Sequence, residues 1–185
     1  MWQNISVMTL EEILATTPNL EVKDTGKYGR GVFAKEAIKK GETIYIFSGR
    51  EIDGYECDNV LIPSGQLRND DPLQIGIYKY IILNPLAYLF NHSCDPNSGM
   101  KGRSTLFAIR DIETGEEIVY DYSTTVGPDN PPEVWTMDCF CGSSKCRKKL
   151  MHALSLPEEV LQKYREDGAL QDYILAEMRK AKNCY

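Results

Sequence analysis

The period of apolar positions changes twice along the chain. Leu10, Ile13 and Leu14 stand at helical spacing behind Thr9, Glu12 completes a capping-box pattern, and Pro18 limits continuation. Residues 10–16 are therefore expected to form a short helix. From Leu20 the spacing shortens. β-rich runs at 20–23, 31–35, 43–47, 78–83, 104–110 and 117–122, punctuated by Gly, Asp, Asn and Pro, predict a mainly β domain of short strands. Residues 53–76 show weak periodicity and read as loop with a short helix. Residues 123–137 contain VGPDNPPE and read as a turn-rich surface excursion. After Leu150 helical spacing returns. Ser155 with Glu158 repeats the capping box, Pro157 sits near a first helical position, Gly168 is placed to end that helix, and Leu170, Tyr173, Ile174 and Met178 mark one face of another. The divisions are a helical lead-in at 1–19, a β domain at 20–125, a loop and cysteine segment at 126–150, and a helical extension at 151–185.

Composition narrows the setting. At 185 residues and 42% hydrophobic content, one core of ordinary size is expected, and no apolar run approaches a membrane span. MWQNISVMTLEEI lacks the basic-then-apolar order of a secretion signal, so reduced thiols and a cytoplasmic or nuclear location are expected, with a secreted bacterial effector as the remaining alternative. Residues 1–146 carry 13 Lys+Arg against 21 Asp+Glu, whereas 147–185 carry 8 against 6. An acidic body attracts basic partners and repels phosphate backbones, which disfavours direct nucleic-acid binding.

The cysteines carry the first chemistry. Cys139, Cys141 and Cys146 in CFCGSSKC offer three thiolates from one short segment, and Cys94 in NHSCDPN is the obvious fourth for a single structural zinc. Cys57 and Cys184 have no such neighbours. Lys145, Arg147, Lys148 and Lys149 flank the cluster and would offset the negative charge of a four-thiolate site.

KYGRGVFA at 27–34, NHSCDPN at 91–97, GEEIVYDY at 115–122 and CFCGSSKC at 139–146 stand in the order found in SET domain protein lysine methyltransferases with a post-SET zinc segment, and the chain resembles that family. The resemblance implies a β-clip fold of short twisted sheets with a threaded crossing. It implies S-adenosylmethionine as cofactor, met by Lys27, Tyr28, Gly29, Arg30 and Gly31 largely through main chain, and by Asn91, His92 and Tyr122. Gly29 and Gly31 let backbone approach a ligand closely. Tyr122 becomes the catalytic tyrosine beside methyl donor and amine, Tyr120 the residue that tunes product number, and Asp121 a brace for the loop. Ser93 is expected to steady the NHSC loop, while Asp95, Pro96 and Asn97 shape its turn. Phe47, Tyr120, Tyr122 and Leu150 are the expected substrate channel, with Met151 a further apolar candidate.

A lysine amine, with a solution pKa of about 10.4, must lose its proton before it can attack carbon, and a narrow aromatic channel beside a sulfonium favours the neutral form. Alignment then governs the transfer, with no strong dedicated base. That suits a chain with two histidines, of which His152 lies outside every motif and is expected at the surface. Tyr120 predicts mono-methylation. The sequence departs from the family at Phe47, where many members carry a tyrosine, at Tyr88 and Leu89 in place of an Arg-Phe pair, and at Lys149, where an aromatic often closes the channel. Tyr45, two residues from Phe47, shares its face by strand alternation. The expected partner is a basic, lysine-containing, histone-like segment, added as a strand beside residues 53–80. A dimer through the tail is possible, and a non-catalytic peptide-binding module is the alternative function.

Overall fold

The computed structural model describes residues 8–27, 29–66, 72–131 and 133–182. Helix α1 (Leu10–Thr16) forms as expected, with the Thr9 side chain accepting from the Glu12 amide and Glu12 reaching back to the Thr9 amide. Strands β1 (Leu20–Asp24) and β2 (Arg30–Ala34) follow as an antiparallel hairpin, then β3 (Thr43–Ile46) and β4 (Gly49–Asp53). A one-turn helix α2 (Gly54–Glu56), capped by the Asp53 carboxylate, runs into a π-helical turn at Cys57–Leu61. Strands β5 (Leu73–Gly76), β6 (Lys79–Leu83), β7 (Asn91–His92), β8 (Ser98–Lys101), β9 (Thr105–Ala108) and β10 (Val119–Tyr120) complete the β body. β4, β6 and β5 form one three-stranded antiparallel sheet, and β3, β9 and β8 another. A short pair, β11 (Met137–Asp138) with β12 (Lys149–Leu150), closes the cysteine segment. Helices α3 (Glu158–Glu166) and α4 (Asp172–Lys182) end the described chain.

The main core lies between the sheets. Val32, Ala34, Phe47, Leu86, Phe90, Met100, Leu106, Ala108, Ile112 and Ile118 are almost fully buried there. A second core joins the tail to the body, with Leu161, Leu170, Ile174 and Met178 packed on Phe107 and Ile109. The tail is set so closely against β8 that a Cβ on Gly99 would meet the Ala169 Cβ at 2.5 Å.

Several expectations are corrected. The run at 117–122 is strand only at β10, and Tyr122 starts a 3₁₀ turn, Tyr122–Thr125. That turn is buried at Ser123, Thr124 and Thr125, so the excursion expected from residue 123 begins inside the molecule. Residues 53–76 end in β5, whose four residues are all buried. Tyr78 is a turn residue with φ 53°, left-handed backbone that a strand cannot use. Ser155 does not cap α3. Its hydroxyl contacts His152 Nε2 at 2.9 Å, and Pro157 holds the N-cap position without a side-chain bond. His152 is half-buried rather than on the surface, and its Nδ1 has no partner among the described residues. Gly168 does end α3, at φ 68°.

Candidate active site and cysteine cluster

Two of the motifs meet through a parallel bridge, β7 against β10, which sets Asn91 beside Val119 and His92 beside Tyr120. Asn97 locks the crossing. Its side chain, fully buried, donates to the Glu117 carbonyl at 2.7 Å and accepts from the Val119 amide at 2.9 Å. The strand bearing GEEIVYDY is thereby held on both sides of the NHSCDPN turn. Ser93 supports that turn by accepting from the Asp95 amide.

On one side lie the residues expected to hold the cofactor. Asn91 Nδ2 donates to the Arg30 carbonyl at 3.2 Å and to Glu117 Oε1 at 2.7 Å. Both amide hydrogens are committed, so its carbonyl oxygen is what the side chain has left for a ligand. Gly29 adopts φ 78° in an open turn, whereas Gly31 has a different reason to lack a side chain. A Cβ there would strike Glu117 Oε1 and come within 2.9 Å of Asn91 Nδ2. The space at Gly31 is taken by the protein's own Asn91–Glu117 bond. Gly31→Ala is expected to weaken cofactor binding roughly tenfold by displacing Asn91, measured by calorimetry; unchanged affinity would show that Asn91 does not touch the cofactor. Lys27 Nζ donates to the Phe140 carbonyl at 3.3 Å and so ties this loop to the cysteine segment. Tyr28 lies outside the described residues, as does Cys184.

His92 faces elsewhere. Burial pushes its pKa down to about 4 despite the nearby Asp121 charge, so the ring is neutral at physiological pH. Nδ1 accepts the Tyr122 amide at 3.2 Å, which places the ring proton on Nε2, 3.3 Å from Cys94 Sγ. The imidazole thus joins the tyrosine to the cysteines. Only its main chain remains for a cofactor.

On the other side opens a cavity of about 430 Å³, lined at one end by Tyr120, Tyr122, Phe90, Tyr88, Leu83 and Ala87 from the body and by Trp135 and Met137 from the cysteine segment, with polar groups including Asp58, Gln66, Gln74 and Asn130 elsewhere in its wall. Tyr122 donates its hydroxyl to the Phe90 carbonyl at 2.8 Å, and its ring lies 4.9 Å from that of Tyr120 and 5.3 Å from that of His92. Tyr120 is buried, which raises its pKa well above the ordinary value and keeps it a neutral phenol. Phe47 and Leu150 do not line this cavity. Phe47 is 1% exposed beneath Tyr120, at 5.8 Å between ring centres, and Leu150 is packed under Cys94 and Cys139. Tyr45 shares the face of Phe47 and joins the same aromatic layer. Trp135 and Met137, which carried no such expectation, do line the cavity. Their alternation into a strand is the signal that the turn-rich run before them obscured.

The four cysteines come together. Cys94 Sγ lies 3.7 Å from Cys139 Sγ, and Cys146 Sγ 3.6 Å from Cys139 Sγ. His92, Cys94, Cys139 and Cys141 offer ligand atoms within 4.8 Å of one another. A tetrahedral zinc with Zn–S bonds of about 2.3 Å sets its sulfurs about 3.8 Å apart, and the two sulfur distances fit that spacing. With its Nε2 proton in place, His92 is a hydrogen-bond donor to Cys94 rather than a ligand. Burial raises the Cys94 and Cys139 thiols, while at Cys141 it is outweighed by the amides of Cys94 and Ser143 and by the Cys139 and Cys146 thiols, which bring its pKa to about 7. Among the flanking cations, Lys145 pairs with Asp95 at 3.0 Å, and Arg147 divides its groups, its amide on Cys94 Sγ and its guanidinium on Asp121 at 2.7 Å.

This fold, mostly short strands, belongs with the geometry above to one class. Residues 29–123 match the model of the SET domain, and the chain belongs to that family. It is 31% identical over 145 residues to "Histone-lysine N-methyltransferase ASHH3" of Arabidopsis thaliana, covering 71% of this chain and 38% of that one. It is 29% identical over 166 residues to "Histone-lysine N-methyltransferase, H3 lysine-9 specific KMT1" of Fusarium mangiferae, covering 71% and 48%. The chain thus spans less than half the length of either relative. Among solved structures, KRYPTONITE in complex with mCHG DNA and SAH superposes with a TM-score of 0.55 at 26% identity, over 72% of this chain and 29% of that chain.

Proposed function

We propose that this chain transfers a methyl group from S-adenosylmethionine to the side-chain amine of lysine in a basic, histone-like protein segment, and that it stops at one methyl. The observation that carries this reading is Tyr122. It stands between the Asn91–His92 strand and an aromatic cavity, with its hydroxyl proton already engaged by the Phe90 carbonyl. Relatives named as histone-lysine N-methyltransferases support it, as does KRYPTONITE solved with an H3(1-15) peptide and SAH at 26% identity and a TM-score of 0.53.

The residues present fit both groups: an oxygen of Asn91 and a turn at 29–31 for the cofactor, and for zinc the thiols of Cys94, Cys139, Cys141 and Cys146, with Cys139 3.7 Å from Cys94 and 3.6 Å from Cys146. Bound there, S-adenosylmethionine supplies a methyl on a sulfonium sulfur, with a neutral thioether as its leaving group. The protein's part is to align and to desolvate. In this reading the Tyr122 oxygen, its proton held by the Phe90 carbonyl, accepts from an amine N–H and turns the nitrogen lone pair toward the methyl. The aromatic end of the cavity, at Tyr120 and Tyr122, favours the neutral amine. Tyr120, held as a phenol, is no base. It occupies the volume that a second methyl would need. The acidic body suits a basic partner, and a nuclear site of action follows from histones as substrate.

The test is incubation with labelled S-adenosylmethionine and core histones, with products resolved by mass spectrometry. Mono-methyl-lysine is expected from the wild type, and a rise in di- and trimethyl product from Tyr120→Phe. An unchanged product distribution in Tyr120→Phe would remove the product-number claim. Cofactor binding without transfer to any protein would leave a peptide-binding module.

A further inference from the structure

The helical tail belongs to none of the four motifs, yet it reaches the turn that carries Tyr122 at three places. Tyr164 of α3, 3% exposed, donates its hydroxyl to Asp121 Oδ2 at 2.8 Å. Tyr173 of α4 donates to the Thr125 carbonyl at 2.8 Å. The Ala153 amide donates to the Val126 carbonyl, also at 2.8 Å. The first contact falls on the residue that caps the turn, the second on its last residue, and the third just beyond. Asp121 is 1% exposed, and its other oxygen receives the Ser123 amide and the Arg147 guanidinium. Burial and the Asp121 charge raise the Tyr164 pKa, and burial raises that of Tyr173, so both remain donors throughout the physiological range.

We infer that the C-terminal helices position the Tyr122 turn for catalysis, with Tyr164 and Tyr173 as positioning residues. This rests on the methyl-transfer reading. A 3₁₀ turn of four residues has few hydrogen bonds of its own and poor geometry for them. Its carboxylate cap is buried and needs all its acceptor capacity met. The two phenols meet that need at one end and fix the carbonyl at the other. The ring of Tyr122, which leaves the turn at its first residue, is thereby held in register with the cavity.

Tyr164→Phe and Tyr173→Phe each delete one hydroxyl and keep the packing. Each is expected to lower kcat about fivefold and the pair about twentyfold, with KM for a histone peptide and Kd for the cofactor within about twofold of wild type. Hydrogen exchange of the Thr124 and Val126 amides should quicken about tenfold, while that of Leu106 in β9 stays unchanged. Ile174→Val, buried in the same tail core, serves as a control with a comparable loss of thermal stability. If Ile174→Val lowers kcat as much as the tyrosine variants, the tail acts through stability alone and the inference falls. Unchanged exchange in the turn, or faster exchange with wild-type kcat, also overturns it. Absence of transfer by the wild type would instead strike the methyl-transfer reading, and the exchange data would still decide whether the tail holds the turn.

Discussion

Tyr122→Phe is expected to lower kcat by about 100-fold, a loss of the size seen when one transition-state contact is removed, while cofactor affinity stays within about threefold. The hydroxyl donates to the Phe90 carbonyl, and on the methyl-transfer reading its loss removes the acceptor that orients the amine. The ring itself still packs on Tyr120 and His92, so the cavity keeps its shape. Single-turnover kinetics with the bound cofactor held constant separates the chemical step from binding. A Tyr122→Phe enzyme with full kcat would assign orientation of the amine to another group.

Cys141→Ser, or chelation, is expected to reduce transfer by more than about 50-fold while the β body keeps its far-UV circular dichroism. Structural zinc contributes roughly 10–16 kcal/mol to the segment it closes, and this segment is short. It delivers Trp135 and Met137 to the cavity wall and lays Leu150 under Cys94 and Cys139. The two main sheets do not pass through it. On the zinc reading, removal of the ion would leave the crowded sulfurs without a common partner and open the wall. Titration of chelator, followed by activity, bound zinc and dichroism together, checks the separation. Loss of dichroism and activity at the same zinc level would make the ion a requirement of the whole fold.

The motifs made much of the site legible because each is a contiguous run with a distinctive composition. CFCGSSKC and NHSCDPN foretold a convergence across 45 residues that the sulfur distances bear out. The lead-in helix was legible for a similar reason: its capping box is local. What escaped was non-local. The bridge between β7 and β10 is two residues long, too short for any period to appear, and it exists because Asn97 ties the strands from the side. Ser98–Lys101 hides as a strand because Gly99 is needed for the tail, not for the sheet. Gly31, expected to let backbone approach a ligand, also has its Cβ space filled by Glu117 and Asn91. Phe47 and Leu150, expected in the channel by motif position, are packed beside the observed cavity and do not line it. Nothing in the sequence of the tail announces that its tyrosines reach Asp121 and Thr125.

Asp121 also imposes an order of events. Synthesis runs from the N-terminus, so this carboxylate leaves the ribosome 26 residues ahead of Arg147 and 43 ahead of Tyr164. Until both arrive it is an ion that water must keep, and burying it early would leave a charge with too few partners. Asp121 therefore gains its full set of partners only once the chain has been made as far as Tyr164. A chain halted between Cys146 and α3 would hold this carboxylate without the Tyr164 hydroxyl, and its Tyr122 turn is expected to exchange amide hydrogens faster than in the longer chain.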